Sequence, residues 1–255
     1  MDRKKFWDII ILLAVFILII IFPVNLLTPD VDIRLWIRIG LMSAFIVFAI
    51  LFVRFTGVAH LFQGKINHRN SFLLLPLFLI AFCNLFYLTV IQKGTVGVTW
   101  DLTFILGVVH ALLAAFAEEM VFRFVIQKNF RVQSKLIKIL IVSAIFAACS
   151  IFSIISYWNI TDPSSWGWTD LTMIAFTFYI GVCLGFLYEY TNNLFLPIIF
   201  NFFFNLINNV WITDNIIFSD GSFNIPYLIN CLCFAAFGIA YLCLFYFVFT
   251  KRENR

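Results

Sequence analysis

Long runs of apolar residues, separated by short polar segments, recur along the whole chain. Each run is close to the roughly 20 residues that an α-helix needs to cross the hydrocarbon core of a bilayer. Because lipid cannot hydrogen-bond the backbone, and the runs do not alternate with a period of two, the pattern predicts membrane helices rather than a barrel. The predicted architecture is an all-α polytopic membrane protein with about eight spans, at residues 7–27, 35–55, 71–91, 102–125, 137–157, 170–189, 194–212 and 226–249.

The distribution of basic residues predicts how these spans are oriented. With the N-terminus in the cytoplasm, every Lys and Arg except Arg34, Arg38 and Lys93 falls in or beside a cytoplasmic segment, as the positive-inside rule requires. Both termini are therefore predicted to be cytoplasmic, in a bacterial cell membrane. The first apolar run follows basic residues but lacks a small-residue cleavage site, so it is interpreted as a retained helix rather than a signal peptide.

The composition is typical of a membrane protein, and its charge pattern favours lipid over nucleic acid as a partner. The chain is 63% hydrophobic and 12% charged, whereas a soluble domain carries about 25% charged residues. The net charge of +4 fits contact with anionic lipid, and the charge pattern gives no sign of nucleic-acid binding. The six Cys lie in apolar runs without C-x-x-C spacing, which favours small buried residues over disulfides or metal ligands. The sequence predicts no cofactor and no metal.

The stretch LLAAFAEEMVFRFVIQ, residues 112–127, places three charges in an otherwise apolar span. A charged side chain at the centre of a bilayer costs about 2.5–3.5 kcal/mol on insertion scales, so such residues are usually functional. Glu119 and Arg123 are four residues apart and can pair on one helix face. Glu118 points about 100° away from Glu119, toward a cavity in which it could act as a general base. Alternatively, the charges lie at the cytoplasmic helix end and snorkel to water, which Arg123 could do more easily than Glu118.

The seventh predicted span carries a stripe of asparagines on one helix face. Asn201, Asn205, Asn208 and Asn209 are spaced at i, i+4, i+7 and i+8, so the stripe should face the helix bundle rather than lipid. Asparagines of this kind can simply hold membrane helices together, and this reading is preferred for Asn208 and Asn209. For the first two, a role in the polar site is preferred.

Taken in order, these motifs resemble the CPBP family of CAAX-processing and bacteriocin-processing membrane proteases, also called the Abi family. The family carries Glu-Glu-x-x-x-Arg, then Phe-x-x-x-His, then His-x-x-x-Asn, the last often preceded by Asn-Leu-x-x-Pro. The residues aligned with these motifs are Glu118, Glu119 and Arg123, then Phe146 and Ser150, then Asn201 and Asn205 after Asn193, Leu194 and Pro197. Both motif histidines are thus replaced, by Ser150 and Asn201.

The resemblance implies a domain layout and a site. Two N-terminal helices and a cytoplasmic loop would occupy residues 1–69, a CAAX-protease-like core residues 70–249, and a cytoplasmic tail residues 250–255. The family mechanism implies that Glu118 activates water and that the other polar motif residues position the water and stabilise the oxyanion. The implied catalytic set is Glu118, Glu119, Arg123, Asn201 and Asn205, and the implied cavity residues are Phe146 and Ser150.

Two functions remain open. The first is an intramembrane endopeptidase acting on a membrane-associated peptide or protein, in CAAX-type or bacteriocin-type processing or in self-immunity. The second is a proteolytically inactive relative that serves as a membrane scaffold, an immunity protein or a partner of a cell-envelope enzyme. Neither Ser150 nor Asn201 can transfer protons near neutral pH as histidine does, and loss of one acid–base group typically costs about 10²–10⁴-fold in rate. A transporter is disfavoured, because matched broken helices are not found.

Overall fold

The structure is a computed structural model that describes residues 3–56, 95–96, 101–130, 132, 134–157, 168–209 and 212–213. The α-helices are α1 (Arg3–Ile21), α2 (Val24–Leu27), α3 (Val31–Thr56), α4 (Leu102–Glu119), α5 (Lys135–Tyr157), α6 (Trp168–Thr191) and α7 (Phe195–Asn209). A π-helix, Met120–Gln127, continues α4 without a break. Two short strands, β1 (Thr95–Val96) and β2 (Ile212–Thr213), form an antiparallel pair.

Helices account for nearly all of the described residues, as the apolar pattern predicts. Six of the predicted spans fall on these helices, whereas spans 71–91 and 226–249 lie outside the described residues. Val31–Thr56 and Leu102–Gln127 are long and apolar enough to cross a membrane, and Phe195–Leu206 is a shorter apolar helix. The full count of eight spans stays a prediction.

The predicted first span, 7–27, is interrupted in the structure. Helix α1 ends at Ile21, and the chain passes through Pro23 before the four-residue helix α2 begins. Proline has no backbone N–H, and its ring clashes with the preceding helical turn. A single helix over 7–27 is therefore wrong, although apolar residues continue across the break.

A row of aromatic rings connects α1, α3, the π-helix and α5. Phe16 lies 5.2 Å from Phe45 and 5.6 Å from Phe122, and Phe122 lies 4.9 Å from Phe146, as measured between ring centroids. All four rings are buried. Such contacts contribute about 0.5–1.5 kcal/mol per pair beyond the burial of their area. The row covers one side of the π-helix, in which every residue is buried.

Close helix packing brings the remaining elements around the π-helix. Helix α4 contacts α3 and α7, and α5 packs along α6. Gly181 lets α6 pack closely on α5, because a Cβ at this position would lie 3.1 Å from Phe146 Cδ1 and 3.2 Å from Ser143 Cβ of α5. Small residues at such crossings let membrane helices approach closely. The polar residues of α4, the π-helix and α7 therefore meet inside the bundle.

Candidate active site

One carboxamide joins the two adjacent carboxylates of α4. Asn201 Nδ2, on α7, donates to Glu118 Oε2 at 2.9 Å and to Glu119 Oε1 at 3.0 Å. An ionised carboxylate only accepts hydrogen bonds, so the amide must turn its NH₂ group toward both acids. Asn201 and Glu119 are buried, whereas Glu118 keeps partial exposure. Glu118 is thus the acid that a reactant could reach.

Arg123 lies beside Glu119 one turn farther along the same helix. Its Nε is 3.3 Å from Glu119 Oε2, and both side chains are fully buried. This contact places opposite charges together without hydrogen-bond geometry, because neither atom has a hydrogen-bond partner among the described residues. The attraction is strong in a medium of low dielectric constant. The pair fixes the orientation of the Glu119 side chain relative to Arg123.

The second motif reaches the site through its phenylalanine. The guanidinium carbon of Arg123 lies 5.2 Å from the centre of the Phe146 ring, within the range of a cation–π interaction. The Ser150 hydroxyl donates to the carbonyl oxygen of Ala147, in its own helix, at 2.6 Å. Phe146 therefore contacts the charged cluster, whereas this bond turns the Ser150 hydroxyl toward its own backbone.

Asn205 extends the amide network along α7. Its Nδ2 donates to Asn201 Oδ1 at 3.4 Å, which is long for a hydrogen bond. The Asn205 side chain is partly buried, and it also interacts with the carboxylate of Glu118. The side chains of Asn208 and Asn209 lie outside the described residues, so their expected role as links between helices stays a prediction.

A sharp turn between α6 and α7 sets the direction of the asparagine stripe. Asn192 adopts a positive φ of 48°, a left-handed conformation that asparagine tolerates better than most residues. Asn193 Oδ1 then accepts a hydrogen bond from the Phe195 backbone N–H at 2.8 Å, as an N-terminal capping side chain does. The Asn193 and Leu194 lead-in of the third motif thus starts α7, which carries Asn201 two turns onward.

A further buried polar residue, Gln127, was missed by the sequence analysis. Its Nε2 donates to the Gly185 carbonyl oxygen at 2.9 Å and to Glu189 Oε2 at 3.2 Å. Lys138 Nζ lies 2.6 Å from the other oxygen of Glu189. Glu119, Arg123 and Gln127 recur every four residues, so the spacing that predicted the ion pair would also have found Gln127.

The arrangement can support base-assisted addition of water to a carbonyl group. It provides a reachable carboxylate in Glu118, a buried carboxylate neutralised by Arg123, and amide donors from α7. Carboxylates are general bases, and amide N–H groups can stabilise an oxyanion. Among the described residues, no cluster of three or more His, Cys, Asp or Glu side chains forms a possible metal site.

The comparison with known families matches this part of the chain. A model of the family described as type II CAAX prenyl endopeptidase Rce1-like matches residues 99–207. The resemblance to the CPBP family, stated from the motifs, is thereby confirmed, and all of the aligned motif residues fall within the matched segment. Together with the two apolar helices, the match indicates an integral membrane protein. No curated protein and no solved structure matches the chain.

Proposed function

We propose that this protein is an intramembrane endopeptidase that hydrolyses a peptide bond in a membrane-associated peptide or protein. The match to the Rce1-like family supports the class of reaction. The observation that carries the proposal is the double hydrogen bond from Asn201 Nδ2 to Glu118 and Glu119. It holds two acids of different exposure in one cluster, so that one can react while the other is held by Arg123.

In the proposed reaction, Glu118 takes a proton from water. The water oxygen adds to the carbonyl carbon of the scissile bond, and the carbonyl oxygen becomes an oxyanion. The proton on Glu118 then passes to the leaving nitrogen as the carbon–nitrogen bond breaks. The products are a carboxylic acid and an amine, which exchange a proton to give a carboxylate and an ammonium group, and Glu118 returns to its ionised form. This cycle needs one carboxylate that alternates between base and acid.

The other polar residues of the cluster support this step. Because both hydrogens of Asn201 Nδ2 point at carboxylates, Asn201 orients Glu118. We assign Asn205 as the donor for the oxyanion, because its partly buried side chain lies beside the reactive Glu118. Glu119 and Arg123 form the positioning pair. Each oxyanion donor of this kind typically contributes about 10²–10³-fold to the rate.

The substrate and cofactor assignments follow from the surroundings of the site. A substrate that reaches Glu118 must enter from lipid or from a membrane surface, which favours lipid-modified or membrane-spanning peptides, including CAAX-type and bacteriocin-type substrates. The polar side chains here are carboxylates and carboxamides, whereas zinc prefers imidazole and thiolate ligands. We therefore propose no resident metal. Stoichiometric zinc, found by elemental analysis of the purified protein, would contradict this assignment.

Cleavage of a membrane-peptide library tests the proposed activity. The purified protein should cleave prenylated or hydrophobic peptides, and Glu118→Gln should reduce the rate by about 10²–10⁴-fold, the usual effect of losing an acid–base group. Asp30→Asn is the control, because Asp30 is an exposed carboxylate outside the cluster that caps the start of α3, and asparagine caps helices equally well. Equal activity of the wild type and Glu118→Gln would contradict the mechanism.

The second candidate is a family relative that binds a membrane peptide or partner without cleaving it. The specific observation in its favour is that Ser150 and Asn201 occupy the positions of the two motif histidines, and that the Ser150 hydroxyl bonds its own helix. Such a protein would act as a scaffold, an immunity protein or a partner of a cell-envelope enzyme. Absence of cleavage, together with a cellular phenotype that survives Glu118→Gln, would favour this candidate.

The proposed setting is a bacterial cell membrane, with both termini in the cytoplasm and the core within residues 70–249. The basic residues of the chain support this orientation through the positive-inside rule. Anionic lipid is the proposed partner of the basic segments, and nucleic acid is not proposed as a partner.

A further inference from the structure

In the described part of the chain, polar atoms that lack hydrogen-bond partners collect along the π-helix beside Glu119. Three guanidinium nitrogens of Arg123, one oxygen of Glu119 and Oε1 of Gln127 are buried without hydrogen-bond partners among the described residues. Arg123 and Gln127 are both fully buried. Buried groups of this kind normally find partners in the protein or in ordered water.

The unpaired atoms are complementary. Arg123 offers only donors, and Gln127 Oε1 is an acceptor. The Gln127 amide cannot rotate to present its nitrogen instead, because that nitrogen already donates to the Gly185 carbonyl and to Glu189. The two side chains are four residues apart in the π-helix Met120–Gln127, so they lie about one turn apart along it. A bridging water would satisfy both side chains.

From this geometry we propose that ordered water binds between Arg123 and Gln127, at a built hydration site beside the carboxylate cluster. The site continues toward the surface through side chains already in contact. Gln127 donates a hydrogen bond to Glu189, and Glu189 pairs with Lys138. The Glu189 side chain is 13% exposed and the Lys138 side chain 15%. The hydration site thus lies between the partly exposed ion pair and Glu119.

The hydration site would supply the water that the proposed peptide hydrolysis consumes. Peptide hydrolysis consumes one water per bond, and the surrounding helices are apolar. Water held at Arg123 lies next to the acid pair, one helical turn from Glu118. This catalytic meaning rests on the proposed function, whereas the hydration site itself does not.

X-ray radiolytic footprinting tests the hydration site directly. Hydroxyl radicals formed from bound water oxidise adjacent side chains at short exposures, even where bulk solvent does not reach. Phe146 lies over the Arg123 guanidinium and should be oxidised promptly in the wild type. Phe45 is the internal control, because it is buried to 1% exposure and packs on Phe16.

Gln127→Met removes the acceptor while keeping similar length, and it should lower prompt oxidation of Phe146 to the level of Phe45. Ser143→Ala is the matched control, because it deletes a buried hydroxyl already bonded to its own helix at Ile139, and it should leave the oxidation unchanged. Equal oxidation of Phe146 and Phe45 in the wild type would overturn the proposal, as would unchanged oxidation of Phe146 in Gln127→Met. The wild-type comparison decides the question if Gln127→Met does not fold.

The footprinting needs no turnover. A negative result would therefore leave the peptidase proposal in place, and a wild-type chain that cleaves nothing could still give the positive result. The two failures are thus distinguishable.

Discussion

Asn201 serves two carboxylates with a single amide nitrogen. Histidine in this position could donate to only one acid from each ring nitrogen, and it would carry a proton that titrates near neutral pH. The amide of Asn201 holds its two hydrogens at every pH. At the residue scale, the replacement exchanges proton transfer for a permanent link between Glu118 and Glu119.

Removal of this link should destabilise the protein. Asn201→Leu would leave two carboxylates without their shared donor, and each unsatisfied buried group costs about 1–3 kcal/mol, or more when charged. We expect a clear fall in the apparent unfolding temperature in detergent, measured by intrinsic fluorescence. Asn205→Leu is the control, because its bond to Asn201 is long and it interacts with Glu118 rather than linking both acids, so it should lower the temperature less. Equal effects of the two substitutions would contradict the bridging role.

Restoring both imidazoles should raise the cleavage rate. Ser150→His with Asn201→His would return the acid–base groups that the family motifs carry, and one such group is typically worth about 10²–10⁴-fold. The measurement is initial rate on the same peptide library, with Ser150→Gln and Asn201→Gln together as the non-titrating control. A rate that does not change in the histidine variant would show that proton transfer is not limiting.

The spacing of residues along one helix predicts part of this site, but not the contacts between helices. The four-residue interval of Glu119 and Arg123 predicts their contact, and the family motifs point to Asn201 and Asn205. The same interval leads to Gln127, but glutamine carries no charge to draw attention in an apolar segment. That Asn201 bonds both acids depends on how α7 crosses α4, which the sequence of either helix does not specify.

At the scale of elements, the π-helix is the feature that the apolar pattern could not predict. A π-helix differs from an α-helix in one additional residue per hydrogen-bonded ring, and such turns are frequently found at functional sites. The composition of Met120–Gln127 suits either form, so tertiary packing must select the wider one. By contrast, the end of α1 could have been placed from Pro23 alone.

The packing of α6 against the π-helix depends on Gly185. A Cβ at this position would lie 2.8 Å from Ile139 Cγ2 and 3.3 Å from Gln127 Oε1. Gly185→Ala should therefore destabilise the protein by about 1–3 kcal/mol, the usual cost of overpacking, as read from thermal unfolding in detergent.

Gly40 provides the control for this substitution. Nothing lies within 4 Å of a Cβ added there, and alanine favours a helix over glycine by about 1 kcal/mol. Gly40→Ala should leave stability unchanged or raise it. Gly185→Ala should cost less stability in an Ile139→Ala background than in the wild type, because that background lacks the methyl group that the new Cβ meets. An equal cost in the two backgrounds would place the strain elsewhere.

At the scale of the whole molecule, charge asymmetry predicts an even number of membrane crossings. A reporter fused after Arg255 should be active in the cytoplasm, since both termini lie on the basic side of the predicted topology. Fusion of a periplasmic reporter at the same position should give no signal. An external C-terminus would contradict the predicted arrangement of eight spans, two of which lie outside the described residues.

The ring contacts of Phe16 have a consequence for protein engineering. The segment that matches the Rce1-like family begins at residue 99, yet Phe122 inside it is covered by Phe16 from α1. A chimera that grafts residues 99–207 onto foreign leading helices would inherit the polar cluster but lose this cover. A chimera that keeps this packing must therefore include α1 together with the matched segment.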